Sequence, residues 1–109
     1  MNNTQIWAEL KSAHEVKISN IFHQITPIPA TTSIFTVNHT GLLMASGISS
    51  TNVGQVWLIN LRSTEISSGY SGGGTGNAVG ASLRVVDGDR VQIYYSGVNM
   101  DGLKIAEFM

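Results

Sequence analysis

The chain has 109 residues, 42% hydrophobic but only 12% charged, and its six Lys/Arg and seven Asp/Glu leave a formal charge of −1. That is one domain with a modest core. The scattered basic residues form no stripe for nucleic acid, and the lack of cysteine excludes disulfides and thiolate chemistry. No apolar run approaches the ~20 residues of a membrane-spanning helix, so no membrane insertion is expected. The start, MNNTQIWAELKSAHEVK, lacks the charged-then-apolar pattern of a secretory signal. Synthesis in the cytoplasm is the expectation. Ser, Thr, Asn and Gly supply the polarity, which suits short strands joined by turns.

Taken in chain order, residues 3–14 read as a short helix. Ile6, Trp7, Leu10 and Ala13 fall three to four apart, and Asn3 or Thr4 provides a cap. Residues 15–21 alternate and read as a strand, with a continued helix as the alternative. Residues 1–25 are thus expected to form an attachment or docking segment. Pro27 and Pro29 break the pattern and fix an extended connection. Residues 30–109 read as one β-sandwich domain. Within it, residues 33–37 (SIFTV) form a strand that ends at the turn Asn38-His39-Thr40-Gly41, and Leu42 to Ala45 begin the next. A polar gap at residues 49–52 precedes QVWLINL, the most apolar run, expected to be a central strand or one covered twice, by the sandwich core on one face and another subunit on the other. Residues 67–80 (SSGYSGGGTGNAVG) read as a long connection. Residues 81–85 lead into Asp87-Gly88-Asp89, a turn. Val91, Ile93 and Tyr95 then alternate with Arg90, Gln92 and Tyr94 as a half-buried strand. Residues 99–102 (NMDG) read as a further turn before a last strand to Met109.

Short strands separated by turn signals every 8–15 residues or so are the pattern of an all-β sandwich or barrel. The step Ile34-Phe35-Thr36-Val37, then Thr40-Gly41-Leu42-Leu43-Met44, resembles the tumour-necrosis-factor-like jelly roll shared with complement-type globular heads. Val56-Trp57-Leu58-Ile59-Asn60 resembles its next strand, although Leu61 stands where that family has Gly. The hairpin from Leu83 through Gly88-Asp89 to Val91, and the closing Gly102-Leu103-Lys104-Ile105, complete the match over residues 33–109. Bacteriophage fibre-tip and head-fibre domains carry the same steps, with Gly/Ser-rich insertions and few charges. The resemblance implies a jelly-roll-like antiparallel β-sandwich that assembles as a homotrimer in a virion. One sheet of such folds faces the threefold axis. Trp57, Ile59, Tyr95 and Phe108 are the residues expected at that interface, where closed symmetry hides apolar surface.

The glycine tract invites comparison with phosphate-binding loops. It has no Lys, its Gly74-Thr75-Gly76 is followed by Gly80 one residue too late, and no helix follows it. A strand connection that carries a partner-facing aromatic fits better. Tyr70 among Ser and Gly resembles the composition of binding loops, and Ser71, Thr75, Asn77 and Asn52 join it as candidate ligand or receptor contacts. His14, His23 and His39 show no metal-ligand spacing. His39, in a turn, is the better candidate for a site shared across chains. Asp87, Asp89 and Asp101 beside glycines are explained by turn chemistry without a metal. No Gly-x-Ser-x-Gly elbow is present. The resulting expectation is a non-enzymatic phage structural or adhesion protein without cofactor or metal. It would bind a host-surface glycan or protein, or another virion protein. A small lectin-like carbohydrate-binding module is the alternative.

Overall fold

The computed structural model describes residues 18–109. The helix expected over residues 3–14, with Trp7 and Leu10, lies outside the described residues. Within them, eight strands follow one another: β1 (Ile18–Gln24), β2 (Ile34–Thr36), β3 (Gly41–Ser49), β4 (Gly54–Asn60), β5 (Ile66–Ser71), β6 (Ala78–Val85), β7 (Arg90–Ser96) and β8 (Val98–Phe108). They form two four-stranded antiparallel sheets. The first has the order β1-β8-β3-β6 and the second β2-β7-β4-β5. The two sheets pack face to face as a β-sandwich.

Period-two alternation sets the inner faces. In β3 every second residue from Gly41 to Ser49 is buried. Leu43, Val56, Leu58, Val91, Ile93, Leu103 and Ile105 fill the space between the sheets with aliphatic volume. Fully burying each such side chain contributes ~1.5–3 kcal/mol. Ile25 and Ile28, on the crossing connection after β1, pack against this core. That connection is held to β7: Thr32 N–H donates to the Ile93 carbonyl at 2.7 Å, and Tyr95 N–H to Thr31 Oγ1 at 2.9 Å.

Two expectations change. The tract at residues 67–80 is mostly sheet. Its first five residues belong to β5 and its last three to β6, so only residues 72–77 connect them. Small side chains make this possible, because β5 and β6, at matching ends of opposite sheets, press together. A β-carbon on Gly69 would overlap the Gly80 backbone, and Ser82 N–H donates to Ser67 Oγ at 3.1 Å. The turn expected at residues 99–102 is a β-bulge inside β8. Ser46 pairs with Gly102 and Gly47 with Met100, which leaves Asp101 as the extra residue. The chain reverses instead at Gly97, whose φ of 65° suits glycine. QVWLINL, as expected of a central strand, runs inside the second sheet as β4, with one face on the core. Val56, Leu58 and Asn60 point inward, while Trp57 is 39% exposed.

Candidate binding surfaces

Three turns meet at one end of the sandwich: residues 50–53 after β3, residues 72–77 after β5, and Gly97 after β7. Ser49 ties them together and is itself buried. Its hydroxyl donates to the Gly74 carbonyl at 2.8 Å and accepts from Asn77 N–H at 3.0 Å. Its backbone N–H donates to Asn77 O, and its carbonyl accepts from Gly76 N–H, both at 2.9 Å. Ser50 N–H reaches Gly97 O at 2.8 Å. Gly74 and Gly76 have φ of 104° and 82°, which lets the turn close around Ser49. Asn52, Thr75 and Asn77 are exposed on these turns. Three of the five expected contact residues therefore share one end of the molecule. Tyr70 and Ser71 do not lie in a loop; both belong to β5. The Tyr70 side chain is 69% exposed, and its ring lies beside Gly72, where a β-carbon would come within 2.9 Å of the phenol oxygen.

The opposite end is built around Asp89, the second carboxylate of the Asp-Gly-Asp turn, which is 5% exposed. Arg62 Nε donates to Asp89 Oδ1 at 2.5 Å. Asp89 Oδ2 accepts from Asn60 Nδ2 and from Val86 N–H, both at 2.8 Å. Asn60 is fully buried, and its own oxygen accepts from Arg62 N–H at 3.0 Å. The Arg62 hydrogen bond holds the Asp89 carboxyl well below the usual carboxylate range. The Asn60 amide and Val86 N–H act in the same direction against the opposing effect of burial. Asp89 in turn raises the Arg62 pKa. This cluster joins the β4–β5 and β6–β7 turns. Every oxygen of the carboxylate is engaged by the protein, so it reads as a structural clasp.

The four residues expected at an oligomer interface do not form one surface. Trp57 and Ile59 point outward from the second sheet. Phe108 sits on the first sheet, at the end of β8. Tyr95 is turned inward: it packs against the core, and its hydroxyl donates to the Pro29 carbonyl at 3.1 Å. Its neighbour Tyr94 faces out and pairs with Trp57 across β7 and β4. The alternation of β7, with Val91 and Ile93 inside, carried that signal. Outward on the second sheet, one row beside the Trp57–Tyr94 pair runs Ile34, Gln92, Ile59, Ile66, and the row on the other side holds Ser96, Gln55 and Tyr70. Elsewhere, His39 stacks on His23 with ring centroids 3.5 Å apart, and His23 Nε2 lies 2.7 Å from Glu107 Oε2. Among the described residues no three His, Asp or Glu side chains gather in a metal-holding group.

No known family matches the chain, and neither the curated proteins nor the solved structures compared with it yield a match.

Proposed function

We propose that this chain is a non-enzymatic structural or adhesion protein of a bacteriophage particle, built as a jelly roll and assembled as a homotrimer. The single observation that carries the reading is the strand order, β1-β8-β3-β6 facing β2-β7-β4-β5. Eight strands alternating between two sheets in this order support the jelly-roll reading, an arrangement that recurs in viral capsid and lectin domains. The order agrees with the resemblance carried by Thr40-Gly41-Leu42-Leu43-Met44 and by the Gly88-Asp89 hairpin. The outer face of the second sheet supports self-association. Trp57, Tyr94, Ile59, Ile66 and Ile34 form an apolar patch on it that a neighbouring copy covers. The turn cluster around Ser49 is then left at one end of the trimer to meet a partner.

Size-exclusion chromatography with light scattering on the full chain tests the assembly. A mass three times that of the chain is expected, and a monomer at micromolar concentration overturns the trimer. Co-purification with phage particles tests the virion assignment. A second reading, a lectin-like module, is favoured by one specific observation: a polar groove lined by Ser46, Ser82, Asp101 and Lys104 on the outer face of the first sheet.

A further inference from the structure

The outer face of the first sheet carries a groove lined by residues of β1, β3, β6 and β8. Its volume is about 610 Å³, within the ~300–1,000 Å³ range of small-ligand sites. Its floor follows the strand register. One row runs Gln24, Lys104, Met44, Ser82 across β1, β8, β3 and β6, and the next runs Gly102, Ser46, Gly80. At the usual spacing of ~4.8 Å per strand, four strands make a floor ~15 Å wide. Ser67 and Ser68 of β5 wall the far side.

Two features single this groove out. The β8 bulge inserts Asp101 at its rim, and Ser46 Oγ donates to Asp101 Oδ1 at 2.8 Å. Bulges commonly re-aim a side chain beside a functional site. The lining also carries one carboxylate, Asp101, and one ammonium, Lys104, so the groove is formally neutral. Lys104 Nζ is placed 4.7 Å above the Phe22 ring. The remaining polar groups are hydroxyls and one amide, and each of these both donates and accepts. One carboxylate and one ammonium in the lining suit neither a divalent cation nor a polyanion. Small floor residues let a ring approach the sheet, and half-buried Met44 offers it an apolar contact.

We infer that this groove binds a short, uncharged oligosaccharide, with Asp101, Ser46 and Ser82 bonding ring hydroxyls. The inference rests on the adhesion reading and assigns its ligand site to the first sheet rather than to the turn cluster around Ser49.

The test is amide-shift mapping of the isotope-labelled full chain with maltotetraose, cellotetraose and chitotetraose, using heparin tetrasaccharide as a charged comparator. At least one neutral sugar is expected to shift the amides of Ser46, Ser82, Gly102 and Lys104. Asp101→Ala and, independently, the exposed groove-filling Ser82→Arg should each weaken that sugar at least tenfold while leaving distant amides unmoved. Shifts confined to Trp57 and Tyr94, tighter binding of the heparin fragment, or no response to any neutral sugar would overturn the proposal. Binding of the intact chain to whole bacteria is scored separately. Cell binding unchanged by Ser82→Arg defeats the groove and leaves adhesion standing. A groove that takes sugar in a chain that binds no cell upholds the groove and defeats the adhesion reading.

Discussion

Gly69 of β5 and Gly80 of β6 lie backbone against backbone, with no room for a β-carbon on Gly69. This contact joins the edges of two different sheets and explains why a glycine-rich stretch is largely strand. Gly69→Ala should therefore cost ~1–3 kcal/mol or more, as overpacking does. Gly73→Ala should be nearly silent, since its φ is not positive and its nearest neighbour is the Asn77 amide at 3.4 Å. Urea unfolding of the two variants compares them directly. Equal and small effects would return the tract to the status of a slack loop.

Asp89 accepts from three side-chain and backbone partners while almost fully buried. Asp89→Ala leaves Val86 N–H and the Asn60 amide short of an acceptor and should destabilise by ~2–3 kcal/mol. Arg62 lies on the exposed side of the pair, so Arg62→Ala should lose much less. Thermal melts of both variants check the order.

The same carboxylate gives a pH dependence of definite sign. In the unfolded chain it titrates near its ordinary 3.8, and in the folded chain well below that. The folded state thus binds fewer protons in acid. Its contribution is fully present above about pH 4 and is lost progressively as pH falls. Denaturant midpoints measured between pH 6 and pH 2.5 should fall on the acid side, and the fall should be shallower in Asp89→Asn.

On the outer face of the second sheet, a charge at position 57 meets no internal partner but opposes burial against another copy. In the proposed trimer, Trp57→Lys is expected to leave a monomer in light scattering while far-ultraviolet circular dichroism keeps its β signature. A variant that remains trimeric would place the interface elsewhere, for instance on the side of Phe108.

Ser49→Ala removes one donated and one accepted hydrogen bond from a buried hydroxyl. A loss of ~1–2 kcal/mol is expected. Faster hydrogen exchange at the amides of Gly76 and Asn77 should accompany it, with β4 unaffected.

Strands that alternate large apolar with polar residues were legible. β7 follows directly from that period, while residues 33–37 and the start of β3 stand out as apolar runs between turn signals. β5 was not, because Ser67, Gly69 and Ser71 face the neighbouring strand with almost no side chain. Hydrophobic periodicity is blind to an inner face made of hydrogen atoms and hydroxyls. The bulge at Asp101 hid for a related reason: Asp-Gly marks both a turn and an irregular strand, and only pairing with Ser46 separates them. The importance of Asn60 was half visible. It ends the apolar run where the resembling family has Asn-Gly, but its partner Asp89 lies 29 residues away. The candidate groove escaped entirely, because it is assembled from five strands and no contiguous stretch encodes it.

Ser49 has a consequence for how this end of the molecule varies. The stretches around Asn52 and Thr75 are far apart in the chain, yet one serine grips the second through four hydrogen bonds and leads directly into the first. They form a single lip. Lengthening residues 72–77 would pull on the end of β3 and displace Asn52, so the two segments must change length and shape in concert. Libraries meant to vary this lip should randomise both while keeping Ser49, Gly74 and Gly76 constant.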